Sequence, residues 1–319
     1  MKIETNAGVN IPQEWKQFLQ SLDLSRAATT VYVLGGVDSG KSTLCRYLVE
    51  SLSGRYSTAL IDCDPGQSFL GPPTTLGMML YHHAEPMMEK PLLRFIGATT
   101  PTGHLLPALT AIKRLSEKAR DFNADVVVLD SSGFALGPVA SEFQFHVIDL
   151  IRPDHLIALQ QNRELEPLLA HFNRHPRMCI HRFGVSSHVI PKTPPQRRFY
   201  REKKFQEYFS AARLWRMAYR PLGLRGRIPN FTEPATYKNR LIALCDRDQF
   251  VLTLGILHHI EIDSGKIQFY APPFDHRQIA GLHFGSIYVS RSGQQLLIPS
   301  RHVRPPSSRT SAPDTPERE

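Results

Sequence analysis

The chain has 319 residues, 41% of them hydrophobic, which predicts about two globular domains with real hydrophobic cores. Its N-terminus carries no apolar signal segment, and no run of about 18 uncharged apolar residues occurs, so we expect neither export nor membrane spanning. The four cysteines form no C-x-x-C pair, which argues against a zinc site or a disulfide framework and favours a cytoplasmic setting. The formal net charge of +9 favours a polyanionic partner.

In chain order, short apolar runs alternate with helix-length amphipathic segments up to about residue 183. Strands are predicted at 29–35, 57–63, 92–98, 125–131, 155–160 and 178–183. Helices are predicted at 41–53, 104–121, 139–151 and 162–172, followed by a helical stretch over 197–219. Strands rich in Val, Ile and Leu with helical crossovers are typical of a parallel sheet that is buried on both faces. We therefore expect a three-layer α/β fold with a nucleotide at the carboxyl ends of the strands.

The pattern changes after about residue 222, where Gly and Pro punctuate β-like runs such as RLIALCD and KIQFYA. This change predicts a smaller β-rich domain at 221–300, after a nucleotide-binding domain at 29–220. A helical lead-in at 1–28 precedes both. The tail at 301–319 is rich in Pro, Ser and charge, a composition typical of disorder.

The most informative segment is VYVLGGVDSGKST at 31–43, which matches the phosphate-binding pattern G-x-x-x-x-G-K-[ST] between a strand and a helix. Glycines let backbone N–H groups turn toward phosphate oxygens, Lys41 reaches the β and γ phosphates, and the Ser42 hydroxyl coordinates Mg²⁺. The sequence therefore predicts a nucleoside triphosphate site. Its expected contacts are Gly35, Gly36, Val37, Asp38, Ser39, Gly40, Lys41, Ser42 and Thr43.

Two segments supply candidate carboxylates at strand ends. Asp62 and Asp64 alternate in IDCDPGQ, and we favour Asp64 because the following Pro-Gly-Gln turn would hold it at the mouth of the sheet. Such a carboxylate can accept a proton from an attacking hydroxyl, hold Mg²⁺, or do both. The alternative is that Asp64 only caps the turn. Asp130, at the end of VVVLD, is a rival metal ligand, and the sequence does not rank the two.

Taken together, GGVDSGKST, DCDPGQ, GATTP at 97–101 and DSSGF at 130–134 occur in an order and spacing that resembles the polynucleotide 5′-hydroxyl kinases. That family includes the kinase subunit of the pre-mRNA cleavage machinery and kinases of ribosomal RNA processing. The resemblance covers roughly residues 29–210 and implies a P-loop fold, ATP and Mg²⁺ as cofactors, and a 5′-hydroxyl RNA or DNA end as substrate. Only about 28 residues precede the first predicted strand, so we expect no counterpart of the additional N-terminal β domain of the eukaryotic kinases.

The resemblance also implies roles for individual residues. Asp64 would activate the 5′ hydroxyl, Gln67 would orient water, metal or substrate, and Lys41 with Ser42 or Thr43 would bind phosphate and Mg²⁺. Thr99 and Thr100 match a clasp on the nucleic-acid end. Phe134 occupies a position where the family often has Trp, so it would stack on the terminal base, although core packing is an alternative.

The basic run at 191–209 resembles the arginine-bearing lid of the same family. The lid neutralises charge on the transferred phosphoryl group. Arg197, Arg198 and Arg201 lie in the matching stretch; we assign Arg198 and Arg201 to catalysis and Arg197 to substrate binding. A solvated helix face is the alternative explanation of the run.

Three functions remain open on sequence alone. The first is a polynucleotide 5′-hydroxyl kinase, and the second is a nucleotide-controlled switch or scaffold ATPase in RNA processing with little kinase activity. The third is a metabolite kinase or ligase on the same fold. A guanine-specific switch is disfavoured because ALQQNREL stands where N-K-x-D is expected. We also expect that a protein partner could bind through the C-terminal domain.

Overall fold

The computed structural model describes residues 11–24 and 28–297. The predicted lead-in at 1–28 is therefore described in part, and its described portion contains the helix α1 (Gln13–Ser21). The predicted disordered tail at 301–319 lies outside the described residues. Among the described helices, none combines the length and apolar character that a bilayer crossing requires. The division into domains stays a prediction.

Eight strands form the first sheet, which carries the predicted nucleotide site. They are β1 (Thr29–Gly35), β2 (Thr58–Cys63), β3 (Thr75–His82), β4 (Glu85–Pro86), β5 (Leu92–Phe95), β6 (Val126–Ser131), β7 (His155–Gln160) and β8 (Cys179–Gly184). Their order is β4-β3-β2-β6-β1-β7-β8, with β5 paired to β3. The pairs β2–β6, β6–β1, β1–β7 and β7–β8 are parallel, so the expected mainly parallel sheet is confirmed.

One edge of this sheet differs from the expectation. The strands β3 and β4 were not predicted, and β3 runs antiparallel to β2, β4 and β5. A parallel return strand needs a crossover of a dozen or more residues, usually a helix. The connection at 64–74 contains no helix. The chain therefore doubles back beside β2, and the strand predicted at 92–98 joins the sheet antiparallel.

The helices between the strands are α2 (Lys41–Ser53), α3 (Leu105–Asp121), α4 (Pro138–Ile151) and α5 (Glu166–Leu169). The first three match the predicted helices within one residue at each end. The helix predicted at 162–172 is wrong in extent, because only the single turn α5 forms. Arg163 has a left-handed φ of 59°, and the Glu164 carboxylate accepts the backbone N–H groups of Gln161 and Asn162, so the chain turns before a helix begins.

Alternate residues of β1 show how the layers are built. Val31 and Val33 pack with α1 and α2 on one face of the sheet, whereas Tyr32 and Leu34 pack with α3 and α4 on the other. All four side chains are buried. Burial of both faces explains why the strand is a continuous apolar run instead of an alternating one.

The second sheet follows the basic helix α6 (Pro194–Phe209). Its strands are β9 (Arg213–Ala218), β10 (Gly223–Gly226), β11 (Arg240–Cys245), β12 (Val251–Glu261), β13 (Lys266–Ala271), β14 (Gly281–Val289) and β15 (Gln295–Leu296), with the turn α7 (Pro234–Tyr237) before β11. The order is β10-β14-β11-β12-β13-β9, with β15 on β14. The expected β-rich C-terminal region is confirmed.

The helix predicted over 197–219 is wrong after Phe209, where α6 ends. The residues of RLWRMA pair with β13 along all of β9, from Arg213 to Ala218, so this segment is the edge strand of the second sheet. A strand-pairing partner fifty residues away decided the structure of a segment whose own sequence is ambiguous. The apolar face of α6 packs on the same sheet, where Phe205 and Phe209 join Leu241 and Leu254 in one core.

Candidate nucleotide and acceptor site

The phosphate-binding segment forms the strand–loop–helix arrangement that its pattern requires. Strand β1 ends at Gly35 and α2 begins at Lys41. A Cβ at Gly35 would lie 2.5 Å from Ser39 Oγ and 2.9 Å from the carbonyl of Leu159, so only glycine fits there. Gly40 has a φ of 90°, which glycine adopts without strain. The loop thus presents the N-terminus of a thirteen-residue helix to the sheet edge, an arrangement that favours anions.

Lys41 lies inside this loop, with 7% of its surface exposed. Its Nζ donates to the carbonyl of Gly36 at 2.6 Å and lies 3.4 Å from Ser39 Oγ. Burial lowers the pKa of the ammonium, and the carboxylates of Asp130 and Asp64 oppose that change. A cation held between these groups can bind an anion without leaving the loop.

Asp130 ends strand β6 beside the phosphate loop and is 7% exposed. Burial raises the pKa of its carboxyl to about 7, while the positive charge of Lys41 and a hydrogen bond from Ser42 act in the opposite direction. Its Oδ1 is buried without a hydrogen-bond partner. A buried carboxylate oxygen without a partner is costly, unless it meets a cation or a donor.

The two aspartates of IDCDPGQ have different environments. Asp62 is buried, and its Oδ2 accepts bonds from Ser68 Oγ and from the backbone N–H groups of Phe69 and Leu70, at 3.0, 2.6 and 3.1 Å. Burial raises the pKa of its carboxyl to about 6, although these donors lower it. Asp62 therefore holds the shape of the loop after β2.

Asp64 stands at the mouth of the sheet. Its Oδ1 accepts the backbone N–H groups of Gly66 and Gln67 at 2.7 and 2.9 Å. The turn-capping role and the catalytic role are thus compatible, because one oxygen caps the turn and the side chain still borders the cavity. A Cβ at Gly66 would lie 2.5 Å from the carbonyl of Thr99, so glycine lets this turn pack against the GATTP segment.

A cavity of about 950 Å³ joins these groups. Most of the predicted site residues line it, namely Val37, Asp38, Ser39, Gly40, Lys41, Ser42, Thr43, Asp64, Gln67, Thr99, Thr100, Asp130, Phe134, Arg197 and Arg201. Gly35, Gly36 and Arg198 lie outside its lining. Segments that are far apart in sequence thus meet at the carboxyl ends of β1, β2 and β6.

The helix α6 forms one wall of the cavity. Arg197 forms an ion pair with Asp38 of the phosphate loop, and the backbone N–H of Lys192 donates to the same carboxylate at 2.8 Å. Arg201 lines the cavity and donates to Gln295 Oε1. In contrast, Arg198 pairs with Glu202 and donates to the carbonyl of Gln295. Both arginines thus contact Gln295 of the second sheet, but only Arg201 lines the cavity.

The sequence prediction missed several side chains of the cavity. Arg46 lies 4.5 Å over the ring of Phe69, and Tyr200 donates to the carbonyl of Ser68 at 2.8 Å. Helical periodicity could have found Tyr200, because residues 197, 200, 201 and 204 share one face of a helix. The same rule does not separate Arg198 from Arg201, because residues three positions apart lie on the same helix face. Trp15 also lines the cavity, and its place in α1 carries no local signal of that role.

The clasp and stacking candidates border the acceptor side of the cavity. Thr99 is half-buried and Thr100 is exposed. The centroid of the Phe134 ring lies 6.1 Å from that of the Phe143 ring. The backbone carbonyl of Phe134 accepts a hydrogen bond from Gln144 Nε2. Phe134 thus contacts the core with part of its ring and borders the cavity as well.

Comparison with known proteins finds relatives that align over most of the chain. The chain is 25% identical to a polyribonucleotide 5′-hydroxyl-kinase of Methanocaldococcus jannaschii, over 91% of this chain and 95% of that protein. It is 24% identical to one of Pyrococcus horikoshii, over 92% and 95% of the two chains. A polyribonucleotide 5′-hydroxyl-kinase Clp1 of Danio rerio is 29% identical over 56% of this chain and 43% of its own length.

The fold is shared with a solved structure of a Clp1p–Pcf11p complex, at a TM-score of 0.64 and 14% identity, over 86% of this chain and 77% of the other. The family model described as mRNA cleavage and polyadenylation factor CLP1 P-loop matches residues 35–211. That match spans the phosphate loop, both candidate carboxylates, the clasp segment and α6. The chain is a member of the CLP1 P-loop family.

Proposed function

We propose that this chain is an ATP-dependent polynucleotide 5′-hydroxyl kinase, which transfers the γ-phosphoryl group of ATP to the 5′ hydroxyl of an RNA or DNA end. One observation carries the proposal: a single cavity joins the phosphate loop at Lys41, the carboxylate of Asp64 and the clasp pair Thr99 and Thr100. Relatives that align over more than nine-tenths of the chain are named as kinases of this type, which supports the same reaction.

The donor side of the cavity would bind the triphosphate. Backbone N–H groups of residues 36–43 and the N-terminus of α2 would surround the phosphates, and Lys41 would spread the charge that develops between the β and γ positions. Because Lys41 is buried, its interaction with phosphate is screened less than that of a surface lysine.

The residues beside the loop fit Mg²⁺. Ser42 and Asp130, with Asp64 as a further candidate, would hold it, and the partnerless Oδ1 of Asp130 is the observation that supports this assignment. No group of three or more His, Cys, Asp or Glu side chains with metal-binding geometry occurs among the described residues. Mg²⁺ usually takes one or two carboxylates together with water and substrate phosphates, so such a group is not required. Bound there, the ion would neutralise phosphate charge.

The acceptor side would bind the nucleic-acid end. Asp64 would take the proton of the 5′ hydroxyl, and Gln67 would orient the groups beside it. Thr99 and Thr100 would hold the end of the strand, while Phe134 would stack on the terminal base. Arg201 and Arg197, on the α6 wall, would neutralise charge on the transferred group. Much of the rate enhancement would come from alignment of donor and acceptor.

A transfer assay tests this proposal with labelled γ-phosphate and matched 5′-hydroxyl RNA and DNA strands. We expect label on the 5′ end with wild-type protein, and a loss of about 100- to 1,000-fold with Lys41→Ala, the scale of removing one preorganised donor. Lys16→Ala, an exposed lysine outside the cavity, is the control. Absence of label with every metal and nucleotide would overturn the proposal.

The same proteins separate the kinase from a switch or scaffold ATPase. A kinase consumes ATP faster when a 5′-hydroxyl strand is added, and a 5′-phosphorylated strand gives no such stimulation. Equal turnover with both strands would favour the switch. A protein partner on the second sheet and a cytoplasmic setting remain predictions; co-purification with the tagged full chain and fractionation of the host cell test them.

A further inference from the structure

A cluster of basic side chains lies where the two sheets meet. This cluster, the basic patch, consists of Arg94, His104, Arg225, Arg227 and His283. Arg225 Nη2 lies 3.2 Å from His283 Nδ1, and the ring of His283 packs edge-on against Phe95 at 4.9 Å. Arg225 and Arg227 are exposed, whereas Arg94 and His283 are buried. The patch is outside the lining of the nucleotide cavity.

The patch is physically continuous with the clasp. Ser286 of β14 donates to the carbonyl of Gly97 with both its backbone N–H and its Oγ, at 2.8 and 2.9 Å. A Cβ at Gly97 would lie 2.9 Å from the Cα of Gly285, so two glycines permit this close approach. The chain then continues from Gly97 directly into Thr99 and Thr100. The second sheet is therefore fixed to the segment that would hold the 5′ end.

The helix α3 extends the same connection. The backbone N–H of His104 donates to the carbonyl of Pro101, which lines the cavity, and His104 is the residue before α3. Burial lowers the pKa of His104, and the nearby charge of Arg227 lowers it further. The geometry agrees, because the backbone N–H of Arg227 donates to Phe284, the residue before the Gly285 that packs against Gly97 at the start of the clasp segment.

Strand β10 carries Arg225, and Arg227 follows directly after its last residue. It is an edge strand, parallel to β14, with Arg225 opposite His283 in the register. Gly226 has a φ of 87°, and a Cβ there would lie 2.3 Å from the carbonyl of Phe284. The backbone N–H of Arg227 donates to that same carbonyl at 2.9 Å. The backbone that carries both arginines is thus anchored by glycine geometry and hydrogen bonds.

The positive charge of the patch at neutral pH lies on its arginines, because burial lowers the pKa of His104 and that of His283. Among the described residues, neither Arg225 nor Arg227 forms an ion pair with a carboxylate. Two acidic residues lie near Arg94: Asp246, whose Oδ1 already accepts the backbone N–H of Phe250, and Asp248, whose backbone carbonyl accepts a hydrogen bond from Arg94 at 2.6 Å. Like charges gathered without counter-charges destabilise a fold, and an anion bound there would relieve that repulsion.

We propose that the basic patch binds the phosphodiester backbone of the nucleic-acid strand downstream of its 5′ terminal nucleotide. This inference rests on the proposed kinase function, because the cavity would fix where the strand begins. From the clasp, the strand would pass His104 and reach Arg227 and then Arg225. The contacts would be to phosphates and would carry no base sequence. The patch would thus set a preference for strand length.

The test compares a 5′-hydroxyl dinucleotide with a 5′-hydroxyl oligonucleotide of about 16 nucleotides, the upper site size of single-strand-binding modules. The double variant is R225A/R227A. The matched control is R213A/R216A, which removes two exposed arginines from β9 at the opposite edge of the same sheet. Fluorescence anisotropy of the labelled long strand measures binding directly and needs no turnover. R227A alone removes one charge and leaves the Arg225–His283 contact in place.

For R225A/R227A we expect KM for the long strand to rise about tenfold and KM for the dinucleotide to stay at the wild-type value. The slope of log affinity against log salt should become shallower by about 1.4, since each single-strand phosphate contact contributes about 0.7 to its magnitude. For R227A the slope should become shallower by about half as much. R213A/R216A should show the wild-type KM and the wild-type slope.

Unchanged affinity and salt slope for R225A/R227A on the long strand would overturn the proposal, as would an equal loss with R213A/R216A. An equal rise in KM for the dinucleotide would also overturn it, because the patch would then act on the terminal nucleotide. If wild-type protein phosphorylates neither substrate, the kinase assignment fails; the anisotropy comparison still decides whether the patch binds the strand.

Discussion

The two walls of the cavity are built in different ways. The phosphate-loop wall is one contiguous segment held by short-range bonds, such as those from the backbone N–H groups of Thr43 and Leu44 to the carbonyl of Gly40. The α6 wall is held by contacts to distant parts of the chain. The Tyr200 hydroxyl, for example, donates to the carbonyl of Ser68, 132 positions earlier.

This difference has a mechanical consequence. The apolar side of α6 is buried in a core formed mainly by the second sheet together with Phe95 of the first, whereas its cavity side touches the loop after β2 through a few polar contacts. Each such hydrogen bond contributes about 0.5 to 1.5 kcal/mol net, less than the roughly 1.5 to 3 kcal/mol from a fully buried Phe side chain. The phosphate loop is therefore fixed by its own short-range bonds, while the position of the α6 arginines depends mainly on how the helix packs on its apolar core.

The largest expected effect separates two aspartates that are two residues apart. Asp64→Asn removes the proposed base but can still cap the turn, so we expect kcat to fall about 100- to 10,000-fold with an unchanged melting temperature. Asp62→Asn removes an acceptor of several loop hydrogen bonds, so it should lower the melting temperature as well. Transfer kinetics and thermal denaturation of both variants measure this. A folded Asp64→Asn protein with wild-type kcat would exclude the residue as base.

The next largest effect is expected from the arginines of α6, where Arg201 lines the cavity and Arg198 does not. Arg201→Ala should lower kcat about 100-fold, because it removes a charged donor from the cavity. Arg198→Ala is the matched control, because Arg198 lies on the same helix outside the cavity lining, and it should leave kcat close to wild type. If Arg198→Ala were the more damaging change, α6 would have to rotate before the reaction.

Much of the first sheet could be predicted from its sequence. The bounds of β1, α2 and β7 follow from apolar runs and the phosphate-loop pattern, because local signals and burial agree there. The strand β9 could not be predicted in the same way. Its sequence RLWRMA has no strict alternation of polar and apolar residues, and pairing with β13 decides its structure.

The same distinction between local signals and contacts to distant segments applies to the site. The phosphate loop and the strand-end carboxylates of Asp64 and Asp130 were predictable from residue chemistry and spacing. The proximity of the clasp pair and Phe134 to the loop came from the family resemblance, because no local pattern brings them together. The role of Asp62 as the organiser of its loop was missed, since its bonding partners at 68–70 have no special sequence signal.

A smaller effect tests the acceptor side, where Phe134 both packs on the core and borders the cavity. Phe134→Ala should weaken binding of the 5′ end by about 1 to 3 kcal/mol, which is about a 5- to 150-fold rise in KM. Phe134→Trp should restore or strengthen binding, since a larger ring keeps the stacking face. Equal KM values for all three proteins, with lower stability of Phe134→Ala, would assign the ring to the core alone.

The smallest expected effect concerns pH and the second sheet. His283 is 6% exposed, and its burial, followed by the charge of Arg225, His104 and Arg94, lowers its pKa to about 3. An unfolded histidine titrates near 6.5, so between about pH 6.5 and 3 the unfolded chain binds more protons at this position. The free energy of unfolding should therefore fall as pH decreases through that window.

The size of this effect is bounded by a single proton, or about 1.4 kcal/mol per pH unit at most. His283→Gln keeps an acceptor for Arg225 but cannot titrate, so its unfolding free energy, from urea denaturation at about pH 7 and pH 5, should change less. His181→Gln is the counterpart on the first sheet, where burial and His155 lower the pKa of His181 to about 4. If only His181→Gln reduced the change of unfolding free energy with pH, the acid sensitivity would lie in the first sheet. The reason is that a proton taken up only on unfolding must bind a group that the fold keeps neutral.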